Sequence, residues 1–150
     1  MTDMRPGDLI SPTDVIARLR ISTKAQLLKE LARRASALVE LDENIIHKAL
    51  LDRENLGSTG VGGGVALPHA RLRGLTHVAG MLITLDRPID YGSIDESPVD
   101  IVFMLLLPDN PDGAANAALA CVARRLRESG VANQLRKSKT ADEAFRHFAA

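Results

Sequence analysis

The chain has 150 residues, 45% of them hydrophobic and 25% charged, ordinary globular values that exclude collagen-like, low-complexity and disordered classes. Lysine and arginine total 19, as do aspartate and glutamate, so no net charge draws the protein to nucleic acid or an anionic membrane. A chain of this length fits one domain, residues 1–150, able to bury about 70% of the surface its unfolded form exposes.

The alternation of Val15, Ala17, Leu19 and Ile21 with Ile16, Arg18 and Arg20 predicts a strand with one wet face over residues 15–21. Thr23, three residues before Gln26, then caps a helix whose stripe is Leu27, Leu28, Leu31, Ala35 and Leu38. Asp42 opens a second helix with Ile45, Ile46, Ala49 and Leu50 inward and Gly57 at its end. Residues 65–67, 78–85 and 99–107 are short, nearly continuous apolar runs, the pattern of strands covered by helices on both faces. The longest falls far short of the roughly 20 residues needed to span a membrane. Between the last two, residues 86–98 are rich in turn formers and acids and read as an exposed excursion.

An alanine-rich helix follows, with Leu119, Val122 and Leu126 on one face and Gly130 as its end. A short helix over residues 131–136 and a last one begun by the box Thr140-Ala141-Asp142-Glu143 and anchored by Phe145 and Phe148 complete the chain. The order predicts an α/β fold: three α/β/α layers around a central mixed sheet, in a single domain.

Chemistry concentrates in Gly57-Ser58-Thr59-Gly60-Val61-Gly62-Gly63-Gly64-Val65-Ala66-Leu67-Pro68-His69. Glycines and hydroxyl residues leave backbone N–H groups free to approach an anion, and Pro68 stiffens the support of the imidazole. A neutral imidazole is a competent nucleophile near pH 7, so His69 is the candidate phosphoryl acceptor. Ser58, Thr59, Gly62, Gly63 and Gly64 are the candidate phosphate-binding residues, against the plainer reading of Ser58 and Thr59 as turn formers. Arg53 falls on the inward stripe of its helix, where it either reaches a phosphate with its planar fork or fans out at the helix end to meet the dipole.

Other chemistries fit poorly. Gly63 and Gly64 stand where a P-loop needs lysine and Ser/Thr, and Val65 and Leu67 occupy the places of a dinucleotide fingerprint's third glycine. His47, His69, His77, His147 and Cys121 match no metal-ligand spacing, and no cofactor is called for. Cys121 lies on the apolar side of its helix as a core residue, and His77 reads as a solvated turn residue. One cysteine and an opening without a signal-peptide pattern point to a cytoplasmic location.

The stretch Asp52-Arg53-Glu54-Asn55-Leu56-Gly57 through Leu67-Pro68-His69 resembles the signature of the nitrogen-regulatory EIIA proteins of the phosphotransferase system, related to mannitol and fructose EIIA domains. The similarity covers nearly the whole chain, including Pro88-Ile89-Asp90, the run from Pro98 to Leu107, and Arg124-Arg125-Leu126-Arg127. It implies that His69 accepts a phosphoryl group from a histidine phosphocarrier protein, itself charged from phosphoenolpyruvate through Enzyme I, and that Arg53 is the arginine of the phosphoryl site. It also implies regulation, through the phosphorylation state, of partners such as potassium-transport regulators and kinases. The chain departs from the pattern where relatives commonly place a second histidine: it reads Ala114-Ala115-Asn116-Ala117, and Asn116 offers an amide donor there. A non-phosphorylated module on the same fold, binding a protein partner or a small anion, is the alternative.

Overall fold

The computed structural model describes residues 4–110 and 113–150. After two short 3-10 turns at Pro6–Asp8 and Pro12–Asp14 come strand β1 (Val15–Leu19), helices α1 (Lys24–Val39) and α2 (Glu43–Asn55), and strands β2 (Gly60–Gly62), β3 (Val65–Ala66) and β4 (His69–Leu72). Strands β5 (Ala79–Ile89) and β6 (Val99–Pro108) and helices α3 (Ala114–Arg127), α4 (Val131–Lys137) and α5 (Ala141–Ala149) follow.

The six strands form one mixed sheet in the order β1-β5-β6-β3-β2, with β4 also on β6. Strands β1 and β5 are parallel, β5 and β6 antiparallel, and β3 and β4 run parallel to β6 at successive positions along the same edge. The long β6 explains its own composition. Val102, Met104 and Leu106 meet Leu28, Leu31, Ile46 and Leu50 of α1 and α2, whereas Ile101, Phe103, Leu105 and Leu107 meet Val122, Leu126, Leu135 and Phe148 of α3 to α5. Both faces are covered, so the run has no polar alternation. Phe103 and Phe148 stack with centroids 5.0 Å apart. The three-layer α/β/α arrangement expected from the sequence is the one observed.

The helix starts follow their caps. Thr23 accepts from the Gln26 N–H, Asp42 from the Asn44 N–H, and Thr140 from the Glu143 N–H, each satisfying an otherwise orphaned donor. Several boundaries differ from expectation. Leu38 and Ile45 face solvent, because each lies at the margin of its helix stripe. Gly130 does not end α3, which stops at Arg127 with Glu128 as its C-cap; Gly130, with a left-handed φ of 85°, precedes Val131 as the N-cap of α4.

The excursion over residues 86–98 is only partly exposed. Strand β5 runs on to Ile89, and Ile89, Tyr91 and Ser93 are buried. Cys121 is buried and His77 exposed.

Candidate functional site

His69 opens β4 at the point where the chain leaves β3, bends through Leu67 and Pro68, and rejoins β6 opposite Leu105. Two backbone bonds pin the bend: the Leu67 N–H donates to the Thr59 carbonyl at 2.9 Å, and the Leu105 N–H to the Pro68 carbonyl at 3.0 Å. The half-buried imidazole places Nδ1 2.8 Å from the Leu67 carbonyl and Nε2 3.2 Å from Arg53 Nε. A carbonyl only accepts, so Nδ1 carries the proton. A guanidinium only donates, so Nε2 presents its lone pair. The two neighbours therefore select one neutral tautomer, with the lone pair at Nε2.

Charge reinforces that choice. Burial holds the His69 pKa below its ordinary value, and the positive charges of Arg53 and Arg71 act in the same direction, against the Leu67 carbonyl and Glu54, which raise it. Arg53 belongs to the last turn of α2 and uses its fork twice: Nε donates to His69, and Nη1 donates to the Gly57 carbonyl at 2.9 Å. Arg53 thus points its Nε at the imidazole while also meeting the Gly57 carbonyl just beyond the end of α2.

The neighbouring residue, Glu54, is the buried member of the pair, and sequence reasoning gave it no role. Its carboxylate accepts the Thr59 N–H at 2.7 Å and the Thr59 hydroxyl at 2.7 and 2.8 Å, and Lys24 Nζ lies 3.3 Å away. Since the Thr59 hydroxyl gives its proton to the carboxylate, the Tyr91 hydroxyl at 2.9 Å donates to Thr59 Oγ1. Burial pushes the Tyr91 phenol strongly upward, and Lys24 Nζ stands 4.3 Å over its ring. This network fastens the loop after α2 to the helix that carries Arg53. The signal was present in the spacing: Ile46, Leu50 and Glu54 recur every four residues, one face of a helix, so a carboxylate at the buried end required polar partners.

Beside the imidazole lies a shallow cavity of about 330 Å³, lined by Arg53, Ser58, Thr59, Leu67, His69 and Leu119 among others. Ser58 Oγ accepts the Gly60 N–H at 3.1 Å, which leaves its O–H to donate. Thr59 reaches the cavity wall, but its hydroxyl and N–H are spent on Glu54.

The structure does not bring the glycines to the imidazole. Gly63 and Gly64, with φ of 66° and 80°, form the tip of the β2–β3 hairpin, a left-handed turn only glycine makes without strain. Asp95 accepts the Gly63 N–H at 3.0 Å, and Arg136, paired with Asp100, donates to the Gly63 carbonyl at 2.6 Å. Val65 pairs with Ile101 and His69 with Leu105, so the tip lies roughly 13 Å along the strand from His69. The cradle expected from Gly62, Gly63 and Gly64 is thus a structural hairpin, because pairing with β6 carries the chain away from its own turn. Asn116 is exposed in the first turn of α3, where Oδ1 accepts from Arg71 Nη2 at 3.5 Å. Among the described residues no group of three or more His, Cys, Asp or Glu assembles as a metal site.

Comparison with known proteins decides the family. Residues 8–150 match the model for the phosphoenolpyruvate-dependent sugar phosphotransferase system, EIIA 2. The chain belongs to that family. Its EIIA relatives include the nitrogen regulatory protein of Bradyrhizobium diazoefficiens, 42% identical over 138 residues, 92% of this chain and 90% of the relative. The nitrogen regulatory protein homolog of Haemophilus influenzae is 33% identical over 149 residues, covering 97% and 91%. The EIIA fold is equally plain in solved structures: nitrogen regulatory protein IIA-Ntr from Neisseria meningitidis superposes with a TM-score of 0.89 at 27% identity, covering 95% of this chain and 97% of that one.

Proposed function

We propose that this EIIA protein accepts a phosphoryl group on His69 Nε2 from a histidine phosphocarrier protein, and that its phosphorylation state regulates other proteins. The observation that carries this reading is the opposed pair of contacts on one ring: a carbonyl fixing the proton at Nδ1 and Arg53 marking the lone pair at Nε2.

In the transfer, the Nε2 lone pair attacks phosphorus and forms the new P–N bond as the donor's P–N bond breaks, the electron pair leaving with the donor's ring nitrogen. The His69 proton stays at Nδ1 on the Leu67 carbonyl, which accepts more strongly as the ring gains positive character. Arg53 yields Nε2 and turns its donors to the phosphoryl oxygens, while Ser58 supplies a hydroxyl. Charge-assisted bonds of this kind contribute about 1.5–3 kcal/mol each. Little else is required, since phosphoryl transfer depends mainly on positioning and on stabilising charge.

The regulatory emphasis rests on similarity to nitrogen regulatory proteins along nearly their whole length. Potassium-transport regulators and kinases are the partner classes this reading favours, and the cytoplasm its location. Among the described residues no helix is long and apolar enough to cross a membrane.

Incubation with Enzyme I, a histidine phosphocarrier and phosphoenolpyruvate tests the reading by intact mass. One acid-labile phosphoryl group on the wild type, absent from His69→Ala, is the expected result. An unmodified wild type beside a working donor chain leaves the alternative, a binding module without transfer.

A further inference from the structure

A second guanidinium leaves β4 from the same face as the imidazole. Side chains on a strand alternate between faces, so His69 and Arg71 leave β4 on one side while Ala70 and Leu72 turn into the core beneath α1 and α2. The shared side is the one on which α3 begins, and there Arg71 Nη2 meets Asn116 Oδ1 at 3.5 Å. That bond lies at the outer limit of hydrogen-bond length between exposed groups, so it orients the guanidinium without committing it. Arg71 is close enough for its charge to lower the basicity of His69, after burial and alongside Arg53.

Two same-face residues on a strand sit roughly 7 Å apart, a span that an extended arginine side chain crosses. Arg53 approaches the ring from the end of α2 and already has one donor on the Gly57 carbonyl. A phosphoryl dianion on Nε2 presents three oxygens, more than that fork alone engages.

We propose that Arg71 is a second cationic ligand of the phosphoryl group on His69, donating to oxygens that Arg53 leaves open, with Asn116 holding its guanidinium at the mouth of the site until the group arrives. This rests on His69 being the phosphoryl acceptor. Arg71 makes and breaks no covalent bond; it stabilises the phosphorylated state relative to the free imidazole. Asn116 then acts through Arg71 as a positioning residue.

The test is the equilibrium constant for sharing a phosphoryl group between the phosphocarrier and this chain, measured by quantitative intact mass from both directions. An equilibrium constant does not depend on how the two proteins dock, so a change reports on the phosphorylated state itself. Arg71→Gln lowers it roughly fivefold, the upper range for an exposed charge pair, Arg71→Lys recovers most of the loss, and Asn116→Ala falls between. In the unphosphorylated protein, Arg71→Gln raises the His69 pKa in an NMR titration. An Arg71→Gln equilibrium equal to that of a phosphorylated wild type overturns the role of Arg71 and leaves His69 as acceptor. A wild type that takes no phosphoryl group overturns both.

Discussion

Arg53 Nε lies 3.2 Å from His69 Nε2, a contact that exists only while that nitrogen carries a lone pair. In the resting site the lone pair therefore sits at one atom, and protonation at Nε2 sets two cations against each other.

The first consequence is in acid. The folded protein holds the His69 pKa below its ordinary value, so just below pH 6.5 the unfolded chain binds more protons than the folded one. The associated stability is complete above about pH 6.5 and is lost as pH falls through the folded-state value. Phosphoryl acceptance stays flat above neutrality and declines in acid with an apparent pKa below 6.5, as a pH–rate profile checked by NMR of the ring would show.

Arg53→Lys separates geometry from charge. Lysine keeps the cation but loses the planar fork that serves His69 and the Gly57 carbonyl together. Single-turnover acceptance falls on the order of 100-fold, the usual effect of removing one aligned donor from developing charge. Urea unfolding changes little, since Arg53 is only half-buried.

Glu54 carries a different weight. Its side chain is nearly sealed and answers the Thr59 N–H, the Thr59 hydroxyl and Lys24. Glu54→Ala costs about 3 kcal/mol in urea unfolding, the penalty for leaving buried partners unpaired. Tyr91→Phe, which removes only the terminal hydroxyl of the network, costs about 1 kcal/mol.

The hairpin tip gives a prediction about where the phosphate does not bind. A Cβ at Gly63 enters open space, whereas one at Gly64 collides with the Arg136 guanidinium, and both residues have positive φ. Gly63→Ala costs about 1 kcal/mol from the backbone alone, and Gly64→Ala costs more. Most of the excess vanishes in the Gly64→Ala, Arg136→Ala double mutant measured as a thermodynamic cycle, the remainder coming from Asp100 Oδ1 3.1 Å from that Cβ. Neither glycine variant slows phosphoryl acceptance as Arg53→Lys does.

Much of this molecule was legible before its fold was known. The caps at Thr23, Asp42 and Thr140 and the two-faced burial of residues 99–107 marked helices and central strands directly, because those signals are local. What escaped depended on distant pairing. Strands β2 and β4 are too short to show a period, and exist because β3 and β6, respectively, offer them an edge. The glycine run has the composition of an anion nest, but Asp95 and Arg136, remote in sequence, claim its polar groups. Glu54 was hidden by its neighbour: Arg53 drew notice as a charge on an apolar stripe, while the residue nearer the core was the carboxylate.

The most direct measurement is the position of the new P–N bond. Nitrogen-15 NMR of the phosphorylated protein, read through phosphorus coupling to the His69 ring, assigns the phosphoryl group to a single nitrogen. Phosphorus on Nε2 with the proton retained on Nδ1 is the expected spectrum. Phosphorus on Nδ1, or a ring with none after incubation with a functioning donor chain, contradicts the account.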